Sequence, residues 1–182
     1  MNVLLRHETA RGVITVSHAT SGPLRRGMTF LEFSVPRTLA DDRALMTRLS
    51  REDWQGVAVC GVETPADIEK ASALMRVAEA NRGLAPLSLL LLASLDTAKA
   101  ALGLASFNRA IPRLAGLVFD SRTMAEAAGV SAKAALIEEL RLRLPLAAKA
   151  ADVIAVLKQA EDGQEQRAMA ARDGYAGLCI DV

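Results

Sequence analysis

Aromatic side chains are scarce in this sequence of 182 residues, because four phenylalanines, one tyrosine and one tryptophan make up 3% of it. So few rings do not supply the stacking surfaces on which proteins bind single-stranded nucleic acid. Lysine and arginine total 22 against 21 aspartates and glutamates, and no basic block occurs. The sequence therefore lacks the charge pattern of a protein that binds nucleic acid or an anionic membrane, and we expect neither partner.

Long hydrophobic runs are also missing. The most apolar stretch, LAPLSLLLLASL (Leu84–Leu95), is shorter than the roughly 20 residues that span a bilayer and is typical of a buried strand. The first residues, MNVLLRHETARG, lack the basic start, apolar centre and cleavage site of an export signal. These features predict a cytoplasmic protein.

Cysteine and histidine occur only twice each, which limits the possible metal and nucleophile chemistry. Cys60 and Cys179 lie in separate strand-like runs without a partner at metal-ligand spacing, so we predict two buried, reduced thiols. His7 and His18 both fall in the first segment, which disfavours a Ser-His-Asp or Cys-His set. No glycine-rich phosphate loop follows a predicted strand.

The sequence does contain a regular alternation of helical and strand patterns from Thr38 onwards. Buried strands that are separated by helices predict an α/β fold with a parallel sheet. The predicted strands are GVAVCGV, SLLLLAS, LAGLVF, DVIAVL and GLCIDV. In the first 37 residues, GVITVSH and TFLEFSV are strand-like with no helix between them, and MNVLLRH is a further candidate strand.

The expected architecture is a TIM-barrel-like (β/α) parallel barrel that forms one domain over residues 1–182. A complete (β/α)₈ barrel typically needs about 250 residues, so we expect a short or incomplete barrel with an irregular, helix-poor start over residues 1–37. Strand edges left open by an incomplete barrel would favour a homo-oligomer.

Several helix boundaries can be predicted from capping residues. Thr64 and Pro65 suit the start of one helix and Gly83 suits its end. DTAKAALGLASFNRAI is typical of one helix. In SAKAALIEELRLRL, Ser131 is a candidate cap, and we expect a break or kink near Pro145.

Polar residues follow three of the predicted strands directly. Asp120 and Arg122 come after LAGLVF, Glu63 after GVAVCGV and Asp96 after SLLLLAS. The carboxyl ends of parallel strands are the usual place for chemistry in such folds. Each residue also has a structural interpretation: Asp96 as a helix N-cap, Glu63 as a complement to a helix N-terminus, and Arg122 as a solvated residue or a partner of Asp120.

Three segments, in this order and spacing, resemble the citrate lyase beta-subunit branch of the HpcH/HpaI aldolase superfamily. They are CGVETPADIEKASALMRVAEANRG, LDTAKAALGLASFNRAIPRLAGLVFDSRTMAEAAG and RAMAARDGYAGLCIDV. The resemblance implies a TIM barrel that cleaves or forms carbon-carbon bonds in acyl-CoA thioesters or oxo acids with a divalent metal, usually Mg²⁺.

Matched position by position, the resemblance implies a weakened metal site. Leu95, Asp96 and Thr97 match the family's Ile-Glu-Thr, whose glutamate binds the metal, whereas Thr123 stands where the second carboxylate ligand is expected. A neutral hydroxyl is a weak ligand for a hard cation, and the adjacent Arg122 repels one.

Other family positions also differ. Cys60 and Gly61 replace a Pro-Lys pair, the arginine expected at the end of TFLEFSV is absent with Arg37 following later, and Ile180, Asp181 and Val182 replace Ile-His-Pro. The remaining candidates are Asp96 and Glu63 for Mg²⁺, and Arg122, Arg37 and Asp120 for substrate.

Two functions follow from this pattern. The first is a citrate lyase beta-like protein, a diverged carbon-carbon lyase for an acyl-CoA or oxo-acid ligand with an impaired Mg²⁺ site. The alternative is a catalytically inactive relative that acts as a subunit or as a binding or scaffold protein. Whether the chain is an enzyme stays open at the level of the sequence, because a fold does not by itself transfer activity.

Overall fold

A computed structural model describes residues 10–51, 53–108, 111–160 and 163–181. The candidate strand in MNVLLRH lies outside these residues. No helix within them is both long enough and apolar enough to pass through a lipid bilayer.

The described strands form one closed barrel in the order β1 to β7. Strands β2 to β7 are parallel, each to the next, whereas β1 is antiparallel to both β2 and β7 and closes the barrel between them. The strands are β1 Ala10–Ala19, β2 Thr29–Ser34, β3 Gly56–Cys60, β4 Leu90–Ser94, β5 Leu114–Asp120, β6 Ile154–Gln159 and β7 Gly177–Asp181. The predicted α/β TIM-barrel-like fold is thereby confirmed, with β1 and β2 joined without a helix as expected.

Helices connect the parallel strands. They are α1 Leu39–Arg51, α2 Pro65–Arg82, α3 Ala98–Leu102, α4 Ser121–Ala128, α5 Ala135–Ala150 and α6 Gln164–Arg172. The predicted limits of α2 are correct: Pro65 is its first residue, and Gly83 ends it in the left-handed conformation with φ +65°. The prediction of one helix over DTAKAALGLASFNRAI is wrong, because α3 ends before Gly103 and a short 3₁₀ turn, Leu104–Ser106, follows.

Helix α5 differs from the sequence prediction at both expected boundaries. Its N-cap is Ala134 rather than Ser131, and it continues through Pro145 to Ala150, so no break occurs there. A proline inside a helix removes the N–H that would bond the carbonyl four residues earlier. Here the hydroxyl of Tyr175 donates to that carbonyl, Arg141 O, at 2.5 Å, which compensates for the missing backbone hydrogen bond.

The apolar core has two layers, one inside the barrel and one between the barrel and its helices. The inner layer contains Ile14, Val16, Leu24, Phe30, Ala58, Leu92, Ala115, Val118, Val156 and Cys179. Glycine is required at position 56 at the start of β3, since a Cβ there would lie 1.9 Å from the carbonyl oxygen of Leu90. Cys60 and Cys179 are both buried, as predicted.

A buried ion pair lies at the amino ends of β4 and β5. Arg113 donates from Nη1 and Nη2 to the two carboxylate oxygens of Glu79 at 2.6 and 2.7 Å, and from Nη1 to Leu89 O at 2.7 Å. Arg113 is therefore buried, whereas most arginine side chains are exposed to solvent. Burial acts to raise the pKa of Glu79, but the hydrogen bonds from Arg113 and Leu89 N lower it to about 2.

Candidate functional site at the barrel mouth

The carboxyl ends of β2 to β7 meet at one mouth of the barrel, and all five predicted site residues lie there. Arg37 follows β2, Glu63 follows β3, Asp96 follows β4, and Asp120 ends β5. Arg122 lies in the first turn of α4, directly after β5. Because β4 and β5 are neighbours, with Ser94 opposite Val118, the segments that carry Asp96 and Thr123 also lie side by side.

The Asp96 carboxylate is buried, with 5% of the residue exposed, and it supports a turn. Its Oδ1 accepts a hydrogen bond from Gly61 N at 2.7 Å, where Gly61 has φ +71°. The alternative that Asp96 caps α3 is wrong, because Thr97 is the N-cap and its hydroxyl accepts from Ala100 N at 3.0 Å. The assignment of Asp96 as a metal ligand stays a prediction.

Glu63 and Arg37 belong to a group of ion pairs on the same side of the mouth. Lys99 Nζ donates to Glu63 Oε2 at 3.0 Å. Arg37 Nη1 donates to Asp67 Oδ1 at 2.7 Å, while its Nη2 donates to Gly61 O at 3.3 Å and lies 3.9 Å from Glu63 Oε2. Arg37 is thus already engaged by two carboxylates and a carbonyl group.

On the other side of the mouth, Asp120 caps α4. Its Oδ1 accepts from the backbone N of Arg122 at 3.0 Å and of Thr123 at 3.2 Å. The Arg122 side chain is 73% exposed, and its Nη2 lies 3.7 Å from Asp181 Oδ2. The side chain of Arg122 is therefore near Asp181, while its contact with Asp120 is made by the backbone.

A largely buried lysine inside the mouth was missed by the sequence reasoning. Lys158 on β6 places Nζ 2.7 Å from Glu32 Oε1, 2.8 Å from Asp181 Oδ1 and 3.7 Å from Asp120 Oδ2. Only 9% of its side chain is exposed. Burial acts to lower the pKa of Lys158, but the hydrogen bonds to Asp181 and Glu32 outweigh burial and raise it above its usual value.

One sequence signal could have identified this lysine. The apolar run of the strand TFLEFS is interrupted by Glu32, and that of IAVLKQ ends at Lys158, so each strand carries one charge and the two charges have opposite sign. A lone charge in a buried strand requires a partner. The partner is 126 positions away in the chain, so local spacing does not reveal it.

A cavity of about 220 Å³ opens beside Lys158, between the start of α4 and the ends of β6 and β7. It is lined by Asp120, Ser121, Arg122, Ala132, Lys158, Gln159, Ala160 and Asp181. It therefore combines two carboxylates with two cationic groups at the end of the barrel where α/β folds usually bind ligands.

The residues at the mouth do not fit the Mg²⁺ ion that the resemblance implies. Within residues 10–51, 53–108, 111–160 and 163–181, no group of three or more His, Cys, Asp or Glu side chains could hold a metal ion. Asp96 accepts a backbone hydrogen bond, and Thr123 offers a neutral hydroxyl. The carboxylates of Glu32, Asp120 and Asp181 surround an ammonium group instead.

Comparison with known proteins finds similarity only between three-dimensional structures. No family model matches the sequence, and no curated protein matches it either. A citrate lyase from Burkholderia xenovorans LB400 superposes with a TM-score of 0.66 at 12% identity over 82% of this chain and 52% of that chain. An HpcH/HpaI aldolase from Desulfitobacterium hafniense gives a TM-score of 0.61 at 14% identity, over 82% and 64%.

A malate synthase from Haloferax volcanii, solved as a magnesium/glyoxylate complex, gives a TM-score of 0.58 at 19% identity, over 76% of this chain and 46% of that chain. This chain thus spans between about half and two thirds of the length of these proteins. At such low identities the likeness establishes the fold. The chain has the same barrel fold as these solved structures of a citrate lyase, an HpcH/HpaI aldolase and a malate synthase.

Proposed function

We propose that this chain is a citrate lyase beta-like carbon-carbon lyase scaffold that has lost metal-dependent catalysis and acts as a subunit or a binding protein. One observation carries the proposal. The ammonium of Lys158 lies within the barrel mouth, 2.7 Å from Glu32 and 2.8 Å from Asp181, so a fixed positive charge already pairs with carboxylates of the mouth.

Metal-dependent cleavage needs a divalent ion that binds the substrate oxygens and stabilises the enolate that develops. A pair of carboxylates usually holds such an ion, since Mg²⁺ prefers charged oxygen ligands. Here Asp96 is held by Gly61 N, and Thr123 brings no charge. The mouth therefore lacks the ligand pair on which this chemistry depends.

Lys158 does not supply an alternative covalent mechanism. A lysine that forms a Schiff base with an oxo acid must lose its proton before it attacks, and enzymes achieve this by lowering its pKa. The carboxylates of Glu32 and Asp181 raise the pKa of Lys158 instead, even though burial acts in the opposite direction. Its ammonium stays protonated at neutral pH.

The charge of the mouth also disfavours an anionic substrate. Among the described residues at the mouth, six carboxylates, those of Glu32, Glu63, Asp67, Asp96, Asp120 and Asp181, stand against the four cationic groups of Arg37, Lys99, Arg122 and Lys158. The ion pair of Lys70 with Asp42, after β2, adds one charge of each sign and leaves the balance unchanged. Without a divalent cation, the negative charge of the mouth would repel an oxo acid or an acyl-CoA, which are also negatively charged. This charge balance favours a role in binding or assembly over turnover.

A second candidate function is a diverged lyase for an acyl-CoA or oxo acid, with Asp96 as the main metal ligand. The cavity of about 220 Å³ favours it, because the exposed guanidinium of Arg122 at its edge is free to contact a carboxylate of a ligand in addition to Asp181. In this function Arg122 would position the substrate and the metal would come from solution.

Cleavage assays distinguish the two functions. The purified protein is incubated with citramalyl-, malyl- or citryl-CoA and Mg²⁺ or Mn²⁺, beside Asp96→Ala and Arg122→Ala variants. We expect all three proteins to show only the background rate of the buffer with metal. Metal-dependent cleavage that Asp96→Ala abolishes and Arg122→Ala weakens would establish the second function and overturn the first.

A further inference from the structure

The outer face of helix α5 exposes three leucines to solvent. Leu136 and Leu142 are each 47% exposed, and Leu146 is 72% exposed. The opposite face of the helix is buried and packs against β5 and β6. An outer helix of a barrel usually has charged and polar residues on the side that faces water, so a row of leucines there indicates a surface that another molecule covers.

The residues along this face are ordered symmetrically. Leu136, Glu139, Arg143 and Leu146, here called the α5 stripe, follow one another at steps of three, four and three positions, which places them on one side of the helix. A leucine lies at each end of the stripe, and two opposite charges lie between the leucines. If two stripes pack antiparallel, Leu136 of each helix lies opposite Leu146 of the other, and Glu139 lies opposite Arg143.

We propose that two copies of this chain form a dimer through antiparallel contact of their α5 stripes, about a two-fold axis at the level of Arg141. The same patch is then used twice, as in other two-fold interfaces. A parallel arrangement would place Glu139 opposite Glu139 and Arg143 opposite Arg143, and these like charges would repel. The order of the charges therefore selects a second copy in the antiparallel orientation. The inference does not rest on the proposed function, because α5 lies on the outside of the barrel.

Glu139 and Arg143 are both available for contacts across the axis. Within one copy, Arg143 Nη2 lies 2.7 Å from Glu139 Oε1, and the two side chains are 62% and 56% exposed. A guanidinium has several N–H donors and a carboxylate accepts more than one hydrogen bond, so the two pairs can join into one network of four charges. Exposed ion pairs contribute little affinity, so the charges chiefly fix the orientation and the leucines supply the buried apolar area.

An apolar groove of about 530 Å³ extends the surface beside the last turns of α5. One of its walls is formed by α5 with Leu146, and the other by α3 and the following 3₁₀ turn with Leu102 and Phe107. Among the described residues that line the groove, Arg143 is the only charged one. In the antiparallel dimer the start of the second copy's α5 lies over this groove, so that its Leu136 enters the apolar part and its Glu139 approaches Arg143.

Charge reversal tests this arrangement directly. Sedimentation velocity over a range of concentrations compares the wild type with Glu139→Arg, with Arg143→Glu and with the double variant. Either single substitution places like charges opposite each other twice in the dimer, so the dissociation constant should rise at least about tenfold. The double variant restores opposite charges and should dimerise as the wild type does.

An equimolar mixture of the two single variants separates contacts across the axis from contacts within one helix. Each variant has lost its own Glu139–Arg143 pair, but the charges of the two variants are opposite to each other across the axis. The mixture should therefore form a heterodimer at concentrations where either variant alone is a monomer.

The apolar part of the surface has a matched control on another helix. Leu146→Glu should leave the protein monomeric, because it places a charge within the interface. Leu39→Glu on α1 should leave the dimer intact, since Leu39 is 75% exposed, much like Leu146, and lies outside the α5 stripe and the groove. All these positions are exposed, so circular dichroism should show that every variant keeps the fold.

Three results would overturn the proposal. They are a wild-type protein that is monomeric at every concentration, a dimer that neither charge reversal weakens, and a mixture of the two single variants that stays monomeric.

Discussion

The contact between Tyr175 and helix α5 gives a sharp test of how the scaffold tolerates a proline inside a helix. Pro145 has no N–H, so Arg141 O receives no backbone hydrogen bond, and the Tyr175 hydroxyl donates to it at 2.5 Å instead. Tyr175 is buried, with 4% of the residue exposed, so water does not easily replace the hydroxyl. Tyr175→Phe removes only this hydrogen bond and keeps the ring.

The expected loss follows from the cost of a buried carbonyl group without a donor. Tyr175→Phe should lower the free energy of unfolding by about 1–3 kcal/mol. In a Pro145→Ala background the amide at position 145 can bond Arg141 O, so the same change should cost about 1 kcal/mol or less. The two substitutions should therefore couple by about 1–2 kcal/mol.

Urea unfolding of the wild type, both single variants and the double variant measures this coupling. The control cycle replaces Pro145→Ala by Pro65→Ala, because Pro65 is the first residue of α2, where its missing N–H leaves no carbonyl unpaired. The control cycle should be additive. A coupling below about 0.5 kcal/mol in the Tyr175 and Pro145 cycle, within the range of independent sites, would refute the compensation.

Three further predictions concern the ion pairs and the surface. The pKa of Glu79 is about 2 in the folded protein against an ordinary value of 4.5, so its ionised form stabilises the fold at pH values above the pKa of the unfolded chain. About 3 kcal/mol of this stability should be lost as the pH falls from about 5 to 2. Urea unfolding should therefore show that Glu79→Gln costs less at pH 3 than at pH 7. Asp96→Ala should cost about 1–3 kcal/mol, because Gly61 N loses its acceptor, and a change below 0.5 kcal/mol in the same assay would contradict this structural role. Leu102 and Leu146, 93% and 72% exposed, line an apolar groove. Light scattering should find an oligomer that a Leu102→Glu and Leu146→Glu double variant converts to a monomer, and a wild type that is monomeric at all concentrations would refute it.

The fold could be predicted from local signals, because alternating helices and buried strands have few other arrangements. The limits of α2 followed from Pro65 and Gly83, which act through their own backbone preferences. The errors arose where a distant residue changes the local rule. Pro145 is compatible with α5 because of Tyr175, and the seven described strands close into a barrel because β1 pairs with both β2 and β7. The expected open edges are thus absent from the described strands, and the apolar groove is the remaining basis for self-association.

The position of the candidate site could be predicted from the sequence, whereas the interaction partners of its residues could not. Every residue chosen for following a strand lies at the mouth, since the end of a parallel strand fixes its location. Their partners could not be derived from spacing, because Lys158 meets Glu32 and Asp181 through the closure of the barrel. The resemblance points to Asp96 and Thr123, whereas the cation that pairs with Glu32 and Asp181, Lys158, lies on β6.

A crystal structure of the protein soaked in Mn²⁺, with anomalous diffraction recorded at the manganese edge, tests the central claim most directly. The account predicts no anomalous peak at the mouth, with Lys158 Nζ in hydrogen-bonding contact with Glu32 and Asp181. A manganese ion bound beside Asp96, or one that displaces Lys158 from its carboxylates, would contradict it.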